Sequence, residues 1–290
     1  MAKEVFIVAA VRTPIGSFGG SLKSFTATQL GGIAIKAVLD KVQLDPSSVD
    51  EVVFGSVLQA GLGQAPARQA AIYGGLPHKV ICTTVNKVCA SGMKSIAQAA
   101  QSILLGDAEI VVAGGMESMS NVPFYNMHQR WGNKYGDTTM LDGLAKDGLV
   151  DVYDQVAMGN FADLCATENE ISRADQDAFA LSSHQKALVA QQQNYFKPGI
   201  LPITVEEVYV NEKGKKATRS YVVDSDDGVR ADTSIEALAK LKPAFAVDGT
   251  VTAGNSSQTS DGAAFVVVMS EKMMLELGLV PIGRLVNVAV

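Results

Sequence analysis

The feature that most constrains this chain is a regular exchange, across residues 1–118, between short apolar runs and stretches with helical spacing. Residues 5–11 form a continuous apolar run, the pattern of a strand covered on both faces. Residues 30–42 carry helical spacing, and residues 51–57 read as a strand. Pro66 opens a short helix, because its fixed φ suits a first turn. Ile81–Val85 is rich in β-formers, residues 90–105 form a helix that stops at Gly106, and residues 109–113 form a strand closed by Gly114-Gly115. Strands alternating with helices predict an α/β fold: a mostly parallel sheet with helices on both faces.

The texture changes near Ser120. Residues 120–153 mix Gly, Asn, Asp and aromatics without a period, as expected of a long excursion. Helices are expected over 154–168 and 174–193, the second opened by a capping pair of Ser172 and Asp175. Residues 202–210 and 216–223 read as a hairpin around Asn211-Glu-Lys-Gly214. Residues 263–269 return to a buried-strand pattern, 271–277 to a helix and 283–290 to a strand. That final strand has two readings: the first element of a second domain, or the last edge strand of the first sheet.

Hydrophobic residues make up 47% and charged residues 19%, the balance of a chain with a sizeable core. The net charge of −6 argues against nonspecific nucleic-acid binding. The cysteines Cys82, Cys89 and Cys165 form no disulfide framework, and no metal site is read from Cys and His spacing. The apolar run at the start is too brief for a membrane span and lacks a basic leader, so the expectation is a cytoplasmic protein with no membrane partner.

Chemistry concentrates at Val85-Asn-Lys-Val-Cys89-Ala-Ser-Gly-Met-Lys94. A strand ends and a cysteine sits where a helix begins. The positive end of a helix dipole and its free N–H groups favour a thiolate over a thiol. Small residues at 90–92 leave room for a substrate, and the Cys89 N–H is a candidate oxyanion donor. The alternative reading is a buried structural cysteine. A nucleophilic cysteine needs a base, yet His78, His128 and His184 all read as surface residues.

Several stretches, in order, resemble the thiolase family, the enzymes that make or cleave 3-ketoacyl-CoA: Val11-Arg-Thr-Pro-Ile-Gly16, Gly61-Leu-Gly-Gln-Ala-Pro-Ala-Arg68, Asn86-Lys-Val-Cys89-Ala-Ser-Gly92, Ala113-Gly-Gly-Met-Glu-Ser-Met-Ser120, Thr252-Ala-Gly-Asn-Ser-Ser-Gln258 and Asp261-Gly-Ala-Ala264. The resemblance implies a thiolase-like βαβαβ layered half carrying an inserted α+β loop domain that binds CoA. It divides the chain into a core over 1–119, an insertion over 120–250, a return to the core over 251–270, and the start of a truncated second half over 271–290.

By the same resemblance Cys89 takes an acyl group from acyl-CoA, and a second acetyl-CoA attacks the thioester. Ser257 matches a serine near the pantetheine, Met158 a methionine of the acyl pocket, Leu149 a pantetheine contact and Arg230 an arginine near the adenine. Core packing is the plainer role for Met158 and Leu149, and a solvated charge for Arg230. Coenzyme A thioesters are substrates, no cofactor is implied, and a homodimer or homotetramer is expected. Ala157 stands where acetyl-specific members often have histidine, which leaves chain length open, and Ala237 where many have serine. Lys213, Lys215, Lys216 and Arg219 are either a solvated turn or a contact to CoA phosphates. The family's later Asn-Glu-Ala-Phe, Gly-His-Pro and Cys-x-Gly-Gly segments do not occur in residues 1–290, so the expectation is little or no turnover from this polypeptide alone.

Overall fold

Apolar runs with side chains on both faces demand a sheet covered twice, and the computed structural model, which describes residues 3–288, has that arrangement. Contacts divide the chain into two units. The first comprises residues 1–122, 199–225 and 260–290, and the second residues 123–198 and 226–259.

In the first unit, β1 (Val5–Arg12), β2 (Gly16–Ser17), β3 (Glu51–Gly55), β4 (Ile81–Val85), β5 (Ile110–Ser118), β10 (Ser260–Ser270) and β11 (Gly283–Arg284) form a seven-stranded sheet. The main order is β11-β1-β10-β5-β3-β4. β3 is parallel to both β4 and β5, whereas β10 is antiparallel to β1, β2 and β5, and β11 is antiparallel to β1. The expected mostly parallel sheet is therefore mixed. The strands before residue 119 share one direction, and β10 enters between β1 and β5 running against them.

Alternation along each strand sends side chains to two separate cores. Val52, Phe54, Val112, Phe265 and Val267 face α1 (Ala27–Lys41) and α2 (Pro66–Tyr73). Val53, Val111, Ala113 and Val268 face α3 (Ser91–Leu105), which buries Ala99, Ala100 and Ile103 against them. Phe54 and Phe265 are almost wholly buried, with ring centroids 4.3 Å apart and planes crossing at 62°. Each such side chain contributes about 1.5–3 kcal/mol through burial.

Helix α1 starts earlier than its apolar spacing suggests. Thr26 and Gln29 form a capping box, with Gln29 N–H donating to Thr26 Oγ1 at 3.3 Å and Thr26 N–H donating to Gln29 Oε1 at 2.9 Å. Gly114-Gly115 does not close β5, which runs on to Ser118. Phe265 of the antiparallel partner crosses there, and a Cβ at Gly114 would lie 2.1 Å from the Ala264 carbonyl oxygen. Glycine serves close approach here, not chain reversal.

The contact units divide the chain differently from the expected segments at two places. The hairpin of β8 (Ile203–Val210) and β9 (Lys216–Val223), placed within the 120–250 insertion, groups with the first unit. Ile203, Val205 and Val223 join the α1-side core, and Leu201 N–H donates to the Arg12 carbonyl at 2.8 Å. The return segment 251–270 is divided at Ser260. For residues 271–290, α7 (Glu271–Glu276) packs on β1 and β10, and the strand expected over 283–290 is the short β11, paired with β1. Residues 289–290 lie outside the described residues.

The second unit holds β6 (Phe124–Tyr125) and β7 (Leu141–Asp142), the π-helical turn Ala145–Leu149, α4 (Met158–Glu168), α5 (Arg173–Gln192) and α6 (Ile235–Ala239). Helix α4 begins at Met158 and not at 154, because the Asp151 carboxylate accepts from the N–H groups of Tyr153 and Asp154 and closes a turn first. Ser172 and Asp175 form the expected capping box of α5.

Candidate functional site

The segment after β4 is bent by hydrogen bonds that its own small polar residues make. Asn86 Oδ1 accepts from Val88 N–H at 3.0 Å, and Lys87 O accepts from Ala90 N–H at 3.1 Å. Val88 sits at φ 49°, in the left-handed region that a β-branched residue rarely enters. Cys89 follows on the outside of this elbow and is exposed, so the buried structural cysteine is excluded. Helix α3 begins two residues later, at Ser91, with no side chain capping it at Ala90.

The elbow rests directly on the sheet. A Cβ at Gly55, the last residue of β3, would lie 2.5 Å from the Ser91 carbonyl carbon and 2.6 Å from Gly92 N. Ser95, fully buried, donates to the Gly92 and Gly114 carbonyls at 2.6 and 2.8 Å and accepts from Gly114 N–H at 2.9 Å. On the open side of α3 an apolar groove of about 380 Å³, lined by Met93, Ile96, Ala97, Leu285 and Val288, borders Lys87 and Ala90. At the end of β5, Glu117 accepts from the N–H groups of Val57 and Leu58 at 2.8 and 3.2 Å. Burial pushes its carboxyl up from the usual carboxylate range, and those two hydrogen bonds draw it part of the way back.

The other four expected site residues, Leu149, Met158, Arg230 and Ser257, all lie in the second unit. An isolated antiparallel bridge between Val150 and Ala157 joins the end of the π-helical turn at Leu149 to the start of α4 at Met158. Leu149 is partly buried, while Met158 is 45% exposed, so core packing alone does not describe Met158. Arg230 is exposed, and its backbone N–H donates to His184 Nδ1 at 3.2 Å. His184 is thus a partly buried loop anchor and not a bare surface histidine.

Ser257 is exposed, at the end of a segment tied to α5. Asn255 donates to Asp177 Oδ1 at 3.0 Å and to the Thr250 carbonyl at 3.1 Å, and its Oδ1 accepts from Thr252 N–H at 2.7 Å. Asp177 pairs in turn with Arg173 at 2.8 Å, which also donates to the Leu238 and Leu241 carbonyls. Asp163 accepts from Thr250 and Val251 N–H at 2.7 and 2.9 Å. In the hairpin, Arg219 pairs with Glu207 and lies over the rings of Tyr209 and Tyr221.

Sequence reasoning missed Ser91, Ser95, Glu117, Asp163 and Asp177. Glu117 carried one available signal: it is a lone carboxylate between small and apolar residues at a strand end.

Residues 5–272 match the family model described as thiolase, N-terminal domain. The chain belongs to the thiolase family. It is 49% identical over 284 residues to a Schizosaccharomyces pombe acetyl-CoA acetyltransferase, covering 98% of this chain and 70% of that protein. It is 50% identical to acetyl-CoA acetyltransferase 1 of Arabidopsis thaliana, covering 98% of this chain and 66% of the relative. Against the cytosolic acetyl-CoA acetyltransferase ERG10 of Gibberella zeae the identity is 48%, over 98% of this chain and 69% of the relative. The chain thus spans about two thirds of the length of these thiolase relatives. Among the described residues no helix is long and apolar enough to cross a membrane.

Proposed function

We propose that this chain carries the acyl-accepting part of an acyl-CoA C-acyltransferase in which Cys89 is the nucleophile. The observation that carries this reading is an exposed sulfur on a bent, backbone-anchored elbow immediately ahead of α3, within the segment matched to the family.

In the transfer, the Cys89 sulfur attacks the thioester carbonyl carbon of an acyl-CoA. The bond from that carbon to the CoA sulfur breaks, and CoA leaves as the thiol after taking up a proton. A second acetyl-CoA then loses a proton from its methyl carbon, that carbon bonds to the acyl carbonyl carbon, and the bond to the Cys89 sulfur breaks to return the thiol, giving a 3-ketoacyl-CoA, with acetoacetyl-CoA the favoured product. The reverse direction cleaves the ketoacyl thioester with CoA. Leu149, Met158, Arg230 and Ser257 are proposed as CoA and acyl contacts. The relatives named acetyl-CoA acetyltransferase support this substrate class. Coenzyme A thioesters serve as substrates with no resident cofactor, the setting is cytoplasmic, and the working form is a homodimer or homotetramer.

The test is incubation with acetyl-CoA followed by peptide mass spectrometry. One acetyl group is expected on the Cys89 peptide, and none in Cys89→Ala. Acetylation that persists in Cys89→Ala would overturn the reading.

A second reading, a CoA-binding chain that is catalytically incomplete by itself, is favoured by one observation. Within the first unit the histidine is His78, which lies exposed in the loop before β4, with its carbonyl accepting from Arg68. CoA binding by calorimetry, without acetylation of Cys89, would select this second reading.

A further inference from the structure

Val88 occupies φ 49° although its side chain is 57% exposed, so side-chain packing does not hold the strained backbone. Backbone bonds from Ser91 N–H to the Val88 carbonyl and from Ala90 N–H to the Lys87 carbonyl, each 3.1 Å, close the turn, and the hydroxyl of Ser91 adds a bridge across it. Ser91 Oγ donates to the Val88 carbonyl at 2.6 Å and accepts from Lys87 N–H at 2.8 Å, spanning the elbow from the residue before the strain to the residue that bears it. Asn86 closes the other side through Val88 N–H. Ser91 is 4% exposed and cannot drift, because it lies against the backbone of Gly55, where a Cβ would meet its own Cβ at 2.7 Å.

We propose that Ser91 is a positioning residue for Cys89: its hydroxyl clamps Val88 in the left-handed conformation that places the sulfur beside the first turn of α3. The inference deepens the reading of Cys89 as the acyl acceptor. Left-handed backbone costs a non-glycine residue about 1–2 kcal/mol, enough for the unclamped elbow to relax. Relaxation moves Cys89 off its place ahead of the first turn of α3 and changes the approach to its sulfur. Glycine at position 88 adopts the same φ without that cost, so it should make the clamp dispensable.

The experiment alkylates the native full chain with iodoacetamide and follows Cys89 by peptide mass spectrometry, with the exposed Cys165 as internal reference. In Ser91→Ala the Cys89 rate relative to Cys165 should fall about tenfold, the factor that a strain of this size implies. In the double variant Val88→Gly/Ser91→Ala the ratio should return to within about twofold of wild type. An unchanged ratio in Ser91→Ala, or a loss that glycine does not repair, overturns the proposal. If Ser91→Ala fails to fold, the double variant must recover both fold and reactivity, and failure to do so also overturns it. Acetylation of wild-type Cys89 by acetyl-CoA is scored separately. Its absence, with the alkylation pattern as expected, would refute the acyl-acceptor reading and leave the clamp standing.

Discussion

In the first unit the segment carrying Cys89 rests on backbones in contact, with Gly55 letting β3 meet the start of α3 and Gly114 letting β5 meet β10 closely. In the second unit the segment carrying Ser257 is held by carboxylates, with Asp163 and Asp177 gathering N–H and amide donors from 250–255. The first arrangement tolerates no added volume and is indifferent to charge. The second tolerates volume at its exposed end but depends on every polar partner being present, because an unpaired buried donor keeps its desolvation penalty. The Cys89 elbow thus combines close backbone approach with its own hydrogen bonds, whereas the 250–255 segment is tied by two carboxylates.

The sharpest way to break this contrast is Gly114→Ala. The new Cβ would meet the Ala264 carbonyl oxygen at 2.1 Å, a backbone atom that cannot swing aside. We expect a loss of about 3 kcal/mol or more, read as a lowered urea midpoint, with the first unit opening. A midpoint within error of wild type would show that β5 and β10 slide apart freely.

Next in size is Asp177→Ala, which strands the mostly buried Arg173 and removes an acceptor from Asn255. Breaking a buried pair by deleting one partner costs about 3 kcal/mol, reduced here because Arg173 keeps the Leu238 and Leu241 carbonyls and is a quarter exposed. Hydrogen exchange at 250–255 should quicken while the strands of the first unit stay protected. Equal loss of protection in both units would erase the distinction.

The smallest effect concerns Glu117, a carboxylate of the first unit at the end of β5. Its folded carboxyl titrates above its unfolded value of 4.5 because burial disfavours the anion. The folded state therefore holds the proton more tightly, and wild type loses stability as pH rises from 4.5 through the raised value. Glu117→Gln has no such titration. The stability of wild type relative to Glu117→Gln should rise on acidification from neutral pH to below 4.5, followed by urea midpoints across that range. A difference that stays flat would mean that the Val57 and Leu58 N–H bonds fully offset the burial.

The strands were legible because covering on both faces leaves a continuous apolar run, as in β1 and β10, while β4 was marked by its β-forming residues. The capping box at Ser172 was legible because Ser and Asp stand at the required spacing. The Cys89 segment was legible as a strand-to-helix junction, but its bend was not. Val88 is β-branched, and local preference points away from the left-handed region that Ser91 and Asn86 impose. Asp163 and Asp177 carried no local signal, because their partners at 250–255 lie far along the chain. The direction of β10 was hidden for a similar reason: an apolar run reports burial on two sides and says nothing about orientation. The resemblance supplied candidates for the CoA contacts that no local pattern marks, and the hairpin, assigned to the insertion, took its place from Ile203, Val205 and Val223.

One consequence of β10 concerns how this molecule comes into being. Val5 pairs with Ser270 and Arg12 with Ala264, so β1 gains this partner only after residues 13–259 have been made. Until then β1 and β5 present bare hydrogen-bonding edges, the kind of surface that recruits other chains. Because pairing across so long a separation is slow, closing this ladder is the step that sets how long those edges stay open.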